Sequence, residues 1–255
     1  MLLAIDIGNT VTTLGIFDRD ELRATWHFST DINRMPDEYT ALLLNLLHNQ
    51  GLKPSDVTKA AICCVVPPLL TTYEEIFQRY FNLDPLVVAS GVKTGVRIRM
   101  DNPREVGADR IVNAAAAHQL YESPVIIVDL GTATTFDVVA REGDYLGGVI
   151  APGINTATEA LFRNAAMLPR VEMVPPPKVI GTNTVSAMQS GIIYGYVSLI
   201  EGIIIRIQNE MAEKSKVIAT GGWAGTIAHE TPLIQAVNPD LTLIGLKIIY
   251  YMNRV

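Results

Sequence analysis

Apolar and polar positions alternate in three short blocks at the start of the chain. Residues 2–8, 11–17 and 21–29 read as strands, with Gly8-Asn9 and Arg19-Asp20 supplying the tight turns between them. The period then changes. Over residues 36–51, Leu42, Leu43, Leu46 and Leu47 share one helical face, Pro36 and Asp37 mark a start, and Gly51 marks a stop. Residues 58–66, "TKAAICCVV", read as a buried strand, residues 67–81 as a helix opened by proline, and residues 85–90 as a further strand. A loop from Gly91 to Pro103, with a short strand near Val96–Ile98, leads into an alanine-rich helix at 107–121.

At Pro124 the pattern restarts. Strands are predicted at 125–130, 133–140 and 144–150, and helices near 153–165 and 183–212. The proline-rich stretch between those helices reads as an ordered surface excursion. A strand at 216–222 and a closing helix at 245–254 complete the chain. Both halves open with strand, Asp-x-Gly, strand, and their aspartates, Asp6 and Asp129, lie 123 residues apart. That spacing is too long for a solenoid repeat and points to a duplicated domain. The expectation is an α/β protein of two similar domains, 1–120 and 121–255, facing each other across a cleft.

The two turns carry the candidate chemistry. Gly8 lets backbone approach a ligand closely, and Asn9, Thr10, Thr12 and Thr13 add amide and hydroxyl donors, which suits an anion such as a phosphate chain. Asp6 cannot bind phosphate directly. It can hold Mg²⁺ through water, and the metal can bridge to phosphate. In the second copy, Asp129, Gly131, Thr132, Ala133 and Thr134 repeat the pattern, so a nucleotide clamp explains both better than two ordinary turns. Neither a Gly-x-x-x-x-Gly-Lys-Ser/Thr loop nor a Gly-x-Gly-x-x-Gly fingerprint occurs. "TGGWAG" at 220–225 could wall an adenosine pocket. Asp109 and Arg110 fall in the first turn of a helix. There an acidic residue can simply favour the helix dipole, or it can accept the proton of a substrate hydroxyl while Arg110 binds a carboxylate.

Composition narrows the field. The chain has 255 residues, 49% apolar and 18% charged, with a net charge of −6, so nucleic acid is a poor partner. Cys63 and Cys64 are neighbours, which makes a poor metal pair and a poor disulfide and fits a reduced cytoplasm. No signal peptide is expected, because Asp6 interrupts the N-terminal apolar run. Residues 191–208 are apolar, but Glu201 and Arg206 interrupt them. They fall short of the roughly 20 residues of a membrane span. A helix in the core or at a subunit interface is expected instead. The four histidines lack metal spacing, and no Gly-x-Ser-x-Gly elbow is present.

"DIGNT" at 6–10, "GADR" at 107–110, "DLGTATT" at 129–135 and "GTNTVSAMQSG" at 181–191 closely resemble the type III pantothenate kinase family, over essentially the whole chain. That family belongs to the acetate kinase, sugar kinase, Hsp70 and actin superfamily. The resemblance implies two actin-like (ribonuclease H-like) domains and ATP-dependent phosphorylation of pantothenate to 4′-phosphopantothenate, the first step of coenzyme A synthesis. It implies that Asp6, Ile7, Gly8, Asn9, Thr10, Val11, Thr12 and Thr13, with Thr132, bind ATP. It implies that Asp109 is the proton acceptor, that Gly107, Ala108, Asp109 and Arg110 contact pantothenate, and that Thr184 does so too. Asp129 would bind a monovalent cation, K⁺ or NH₄⁺, and the protein would be a cytoplasmic homodimer. One position departs: many members carry Tyr where this chain has Met100, which cannot offer a phenolic hydrogen bond in the pantothenate pocket. Two other functions compete, a kinase for a different small alcohol on the same scaffold and a non-catalytic regulator. The "GADR" and "GTNT" segments argue against the first, and intact Asp6, Asp109 and Asp129 argue against the second.

Overall fold

The structure, a computed structural model, describes residues 1–121 and 124–254. The chain forms two compact units: Met1–Leu120 together with the C-terminal segment from Asp240, and Tyr121–Pro239.

In the first unit, β1 (Leu2–Ile7), β2 (Val11–Asp18) and β3 (Glu21–Ser29) form an antiparallel meander. β4 (Lys59–Cys64) and β5 (Leu86–Val87) add in parallel on the other side of β1, giving the order β3-β2-β1-β4-β5. β1 is therefore central, which explains why its sequence is nearly continuous in apolar residues rather than alternating. Its side chains still divide by the pleat. Leu3, Ile5 and Ile7 join Leu43 and Leu47 of α1 (Pro36–Asn49) and Leu69, Tyr73 and Ile76 of α2 (Pro67–Ile76). Leu2 and Ala4 join Val112 and Ala115 of α3 (Ala108–Leu120) and Leu243, Leu246 and Ile249 of α7 (Leu241–Asn253), on the opposite face. Each leucine, isoleucine or valine among them contributes about 1.5–3 kcal/mol when taken fully from water. Glu38 caps α1 by accepting the Met35 N–H at 2.8 Å. α2 starts at a proline pair and ends in a wider turn, Phe77–Phe81, which Asn82 stops in the left-handed region at φ 51°. β6 (Arg97–Ile98) is a short strand in the loop before α3.

The second unit repeats this plan. β7 (Val125–Leu130), β8 (Ala133–Val139) and β9 (Asp144–Pro152) form the meander, and β10 (Lys216–Thr220) and β11 (Ala236–Val237) lie parallel beyond β7. Within this unit the order of the five strands, β9-β8-β7-β10-β11, repeats that of the first unit. α4 (Ile154–Asn164), α5 (Thr184–Met211) and α6 (Ala224–His229) complete it. α5 is long and apolar enough to cross a membrane by length and composition, with 39% of its most apolar stretch buried. One side of it, through Ile193, Val197, Ile200 and Ile204, packs on Ile126, Val128 and Leu130 of the sheet. Glu201, which interrupts its apolar run, accepts a hydrogen bond from Thr231 Oγ1 at 2.7 Å.

The structure departs from the sequence reading at the C-terminus. The closing helix was expected within a 121–255 domain, starting at 245. It starts at Leu241 and packs in the first unit. The face of the first sheet around Leu2, Ala4 and Phe17 has only the alanine-rich α3 beside it, and Leu243, Leu246 and Ile249 fill the remaining space. Thr242 Oγ1 donates to the buried Asn113 at 2.7 Å, and Lys247 bonds Asp20 at 3.0 Å. The strand expected at 85–90 shrinks to two residues, and α6 and β11 are elements that the apolar pattern did not show. Leu246 is fully buried, so Leu246→Ala is expected to lower stability by about 2–5 kcal/mol. Urea unfolding followed by circular dichroism measures this. A loss below about 1 kcal/mol would mean that α7 is not part of that core.

Candidate active site

Asp6 stands near the end of β1, and the ladders determine its neighbours. It lies opposite Thr13 on β2 and beside Cys63 on β4. Cys63 is fully buried. Burial, then the charges of Asp6 and Asp109 and a hydrogen bond to Asp6, push its thiol well above the usual range. It therefore remains an S–H donor toward the Asp6 carboxylate. Cys63 also shares a core cluster with Ala108, the residue before Asp109, so the first unit brings the two acidic residues of separate motifs, Asp6 and Asp109, to the same side of the sheet.

Asp109 lies in the first turn of α3. Its Oδ1 accepts the N–H of Arg110 at 2.8 Å, which fixes the carboxylate against the helix start. A methyl group at Gly107 would come within 2.5 Å of that same oxygen. The glycine of "GADR" thus leaves room for the orientation that Asp109 adopts. Ala108 packs with the α3–α7 core. Met100 is half-buried just before the Asn102–Glu105 turn, where Asn102 Nδ2 donates to Glu105 at 2.7 Å.

The turn between β1 and β2 runs from Gly8 to Val11 and is closed by Gly8 N–H donating to the Val11 carbonyl at 3.1 Å. Ile7 is buried in the core below it, Asn9, Thr10 and Val11 are exposed, and Thr12 is buried with Thr13 half-buried beside it. Its counterpart in the second unit is one residue shorter, closed by Gly131 N–H donating to Ala133 at 3.0 Å. There Asp129 lies opposite Thr135 and beside Thr220. Thr220 therefore occupies the place that Cys63 has beside Asp6. A Cβ on Gly221 would come within 2.7 Å of Asp129 Oδ1 and of the Leu130 carbonyl oxygen. Two hard oxygens thus converge on a space kept open by a glycine, a donor set that fits an alkali or ammonium cation. Among the described residues no three His, Cys, Asp or Glu side chains gather into a metal cage.

Thr184 opens α5, and Asn183 caps it by accepting the Ser186 N–H at 2.9 Å. Thr184 lines an open groove of about 780 Å³ between α4 and α5, with Thr158, Leu161, Met188 and Tyr196. Tyr196 donates to the Pro152 carbonyl at 2.8 Å, and burial raises its pKa. Trp223, in the glycine-rich stretch after β10, donates to Asn155 at 3.2 Å. Sequence reasoning missed Cys63, which it weighed only as a metal or disulfide ligand. The available signal was its place near the end of a buried strand, which puts it beside Asp6 only once the strand order is known.

The family model for type III pantothenate kinase matches residues 2–206. A type III pantothenate kinase of Dehalococcoides mccartyi is 54% identical over 253 residues, covering 99% of this chain and 98% of the relative. One from Moorella thermoacetica is 52% identical, covering 99% of this chain and all of the relative. Among solved structures, a protein from Porphyromonas gingivalis described as an N-acetylglucosamine kinase superposes with a TM-score of 0.55 at 14% identity, over the full length of both chains. This last likeness concerns the fold alone, and it supports the duplicated actin-like architecture. The match in sequence is far closer and spans the motifs of both units: the chain belongs to the type III pantothenate kinase family.

Proposed function

We propose that this protein transfers the γ-phosphoryl group of ATP to the 4′-hydroxyl of pantothenate, yielding 4′-phosphopantothenate for coenzyme A synthesis. The observation that supports the reading, beside family membership, is that Asp6 stands beside the buried Cys63 in the ladder while the start of α3, which carries Asp109, packs on the same core. One carboxylate sits at the phosphate turn, and the other sits at a helix start beside Arg110.

Asp109 orients the substrate hydroxyl and accepts its proton as the new P–O bond forms and the bond to ADP breaks. Its link to the Arg110 N–H holds it in place without consuming its second oxygen. Arg110 suits the pantothenate carboxylate, and Gly107 and Ala108 let the substrate approach the helix start. The exposed turn of Asn9 to Val11, with Gly8, Thr12 and Thr13, cradles the phosphates, and Thr132 supplies a contact from the second turn. Asp6 would hold, through water, the Mg²⁺ that accompanies ATP, and Asp129 would hold K⁺ or NH₄⁺. These cations supply charge neutralisation for the phosphate oxygens. Thr184 and its groove suit the pantothenate end, and Met100 leaves an apolar surface where a tyrosine hydroxyl would otherwise stand. A second copy of the chain as partner is supported by exposed apolar residues on α4 and α5, namely Leu161, Val185 and Ile205. Two free cysteines and the net charge of −6 fit a cytoplasmic, ATP-using enzyme.

The test is turnover of ATP with pantothenate and Mg²⁺ by the purified protein, in potassium and again in sodium buffer. Product in potassium and little in sodium is expected. Equal turnover in both would remove the cation role of Asp129, and no product in potassium or ammonium would remove pantothenate as substrate. Asp109→Asn keeps the shape of the side chain but cannot accept the proton. A fall in kcat of about 10²–10⁴-fold with the fold retained is expected. Turnover near that of the wild type would take Asp109 out of this role.

A further inference from the structure

Each phosphate turn is braced from behind by a threonine that none of the motifs contains. In the first unit Thr30, the residue after β3, makes two bonds to the turn. Its N–H donates to the Thr10 carbonyl at 3.0 Å, and its hydroxyl donates to the Gly8 carbonyl at 2.7 Å. Thr12 Oγ1 lies 2.9 Å from the same hydroxyl oxygen. A hydroxyl has one proton, and that of Thr30 is directed at Gly8, so the buried Thr12 hydroxyl is the donor in this pair.

In the second unit the residue after β9 is Gly153, whose N–H donates to the Thr132 carbonyl at 3.2 Å. This is the same ladder position as Thr30, since Val11 pairs with Ser29 and Ala133 with Pro152. No side chain fits there. A Cβ at Gly153 would collide with the carbonyl oxygens of Gly131 and Thr132. Thr134, the counterpart of Thr12, accordingly has a buried hydroxyl with no hydrogen-bond partner among the described residues. The bracing hydroxyl comes instead from Thr156 in the first turn of α4, which donates to the Thr132 carbonyl at 2.8 Å.

We propose that Thr30 and Thr156 are positioning residues for ATP: by holding the Gly8 and Thr132 carbonyls, they aim the N–H groups of Asn9 and Ala133 at the phosphates. The peptide unit is planar and trans, so its N–H points opposite to its C=O. Fixing the Gly8 oxygen fixes the direction of the Asn9 N–H, and fixing the Thr132 oxygen fixes that of the Ala133 N–H. A turn free to rotate these two peptides would present carbonyl oxygens to an anionic ligand for part of the time. The bracing removes that alternative before ATP arrives, which is how preorganised donors gain their effect.

This inference rests on the reading of these turns as the ATP site, so binding and turnover are measured separately. Calorimetry gives the Kd for MgATP of the wild type, Thr30→Val, Thr30→Ser, Thr156→Val and Thr156→Ser, and steady-state kinetics gives both KM values. Each valine variant is expected to weaken MgATP about three- to tenfold, the worth of one net hydrogen bond. Each serine variant should stay within about twofold of the wild type, because serine keeps the donor, and KM for pantothenate at saturating MgATP should stay within about twofold throughout. Valine variants that bind MgATP like the wild type, or serine variants as weak as valine, overturn the proposal. So does a loss confined to melting temperature. Should Thr30→Val fail to fold, the exposed Thr156 pair decides the outcome alone. A wild type that binds MgATP without phosphorylating pantothenate sinks the substrate assignment and leaves the bracing to be judged on Kd. A wild type that binds no MgATP overturns both.

Discussion

The parallel pairing of β1 with β4 is the constraint on which the first unit depends. It places Ile5 beside Ile62 and Asp6 beside Cys63, so one register serves both core and site. A slip of one residue would turn Leu3, Ile5 and Ile7 away from the helices that bury them, and it would also turn Asp6. The core therefore protects the position of the carboxylate. Displacing Asp6 along the ladder requires exposing apolar side chains that are fully buried. Cys63 contributes here as a small buried donor. Its thiol stays protonated because the carboxylates around it and its burial both oppose a third negative charge.

Much of the architecture was legible because the two meanders and the longer helices carry clean periods of two and 3.6. Elements whose residues face one another at short range along the chain, such as β7–β8 or α1, have their partners written nearby. The closing helix has not. Leu243, Leu246 and Ile249 announce a helix with an apolar face, but nothing local says which sheet that face covers. The answer depends on how much space the alanines of α3 leave beside Leu2 and Ala4, a tertiary quantity. β11 and α6, of two and six residues, are too short for periodicity to register.

Asp6, Gly8, Asp109 and Asp129 were visible because unusual residue types interrupt apolar patterns. The supporting residues were not, because they are of ordinary type. Cys63 was hidden for the reason just given, since its relation to Asp6 exists only after strand pairing. Thr30 and Thr156 were hidden more deeply. A threonine at the end of a strand or in the first turn of a helix has a sufficient local explanation. Only the direction of a carbonyl in a distant turn gives either one a second meaning.

The duplication also shows what the fold keeps and what it allows to change. Strand order, the placement of the aspartates and the closing bond of each turn are shared by both units. The side chains that support them are not. Cys63 stands where Thr220 does, and Thr30 stands where Gly153 does. The second turn is one residue shorter, which draws the Gly131 and Thr132 carbonyls against Gly153 and excludes a side chain there. That shortening removes the hydroxyl which would have served Thr134, and α4 restores the bracing of the turn through Thr156 but not the partner of Thr134. The second unit thus changes the supporting side chain yet still holds the Thr132 carbonyl twice, through the Gly153 N–H and the Thr156 hydroxyl, which places the constraint on the orientation of the turn rather than on the identity of the residue that braces it.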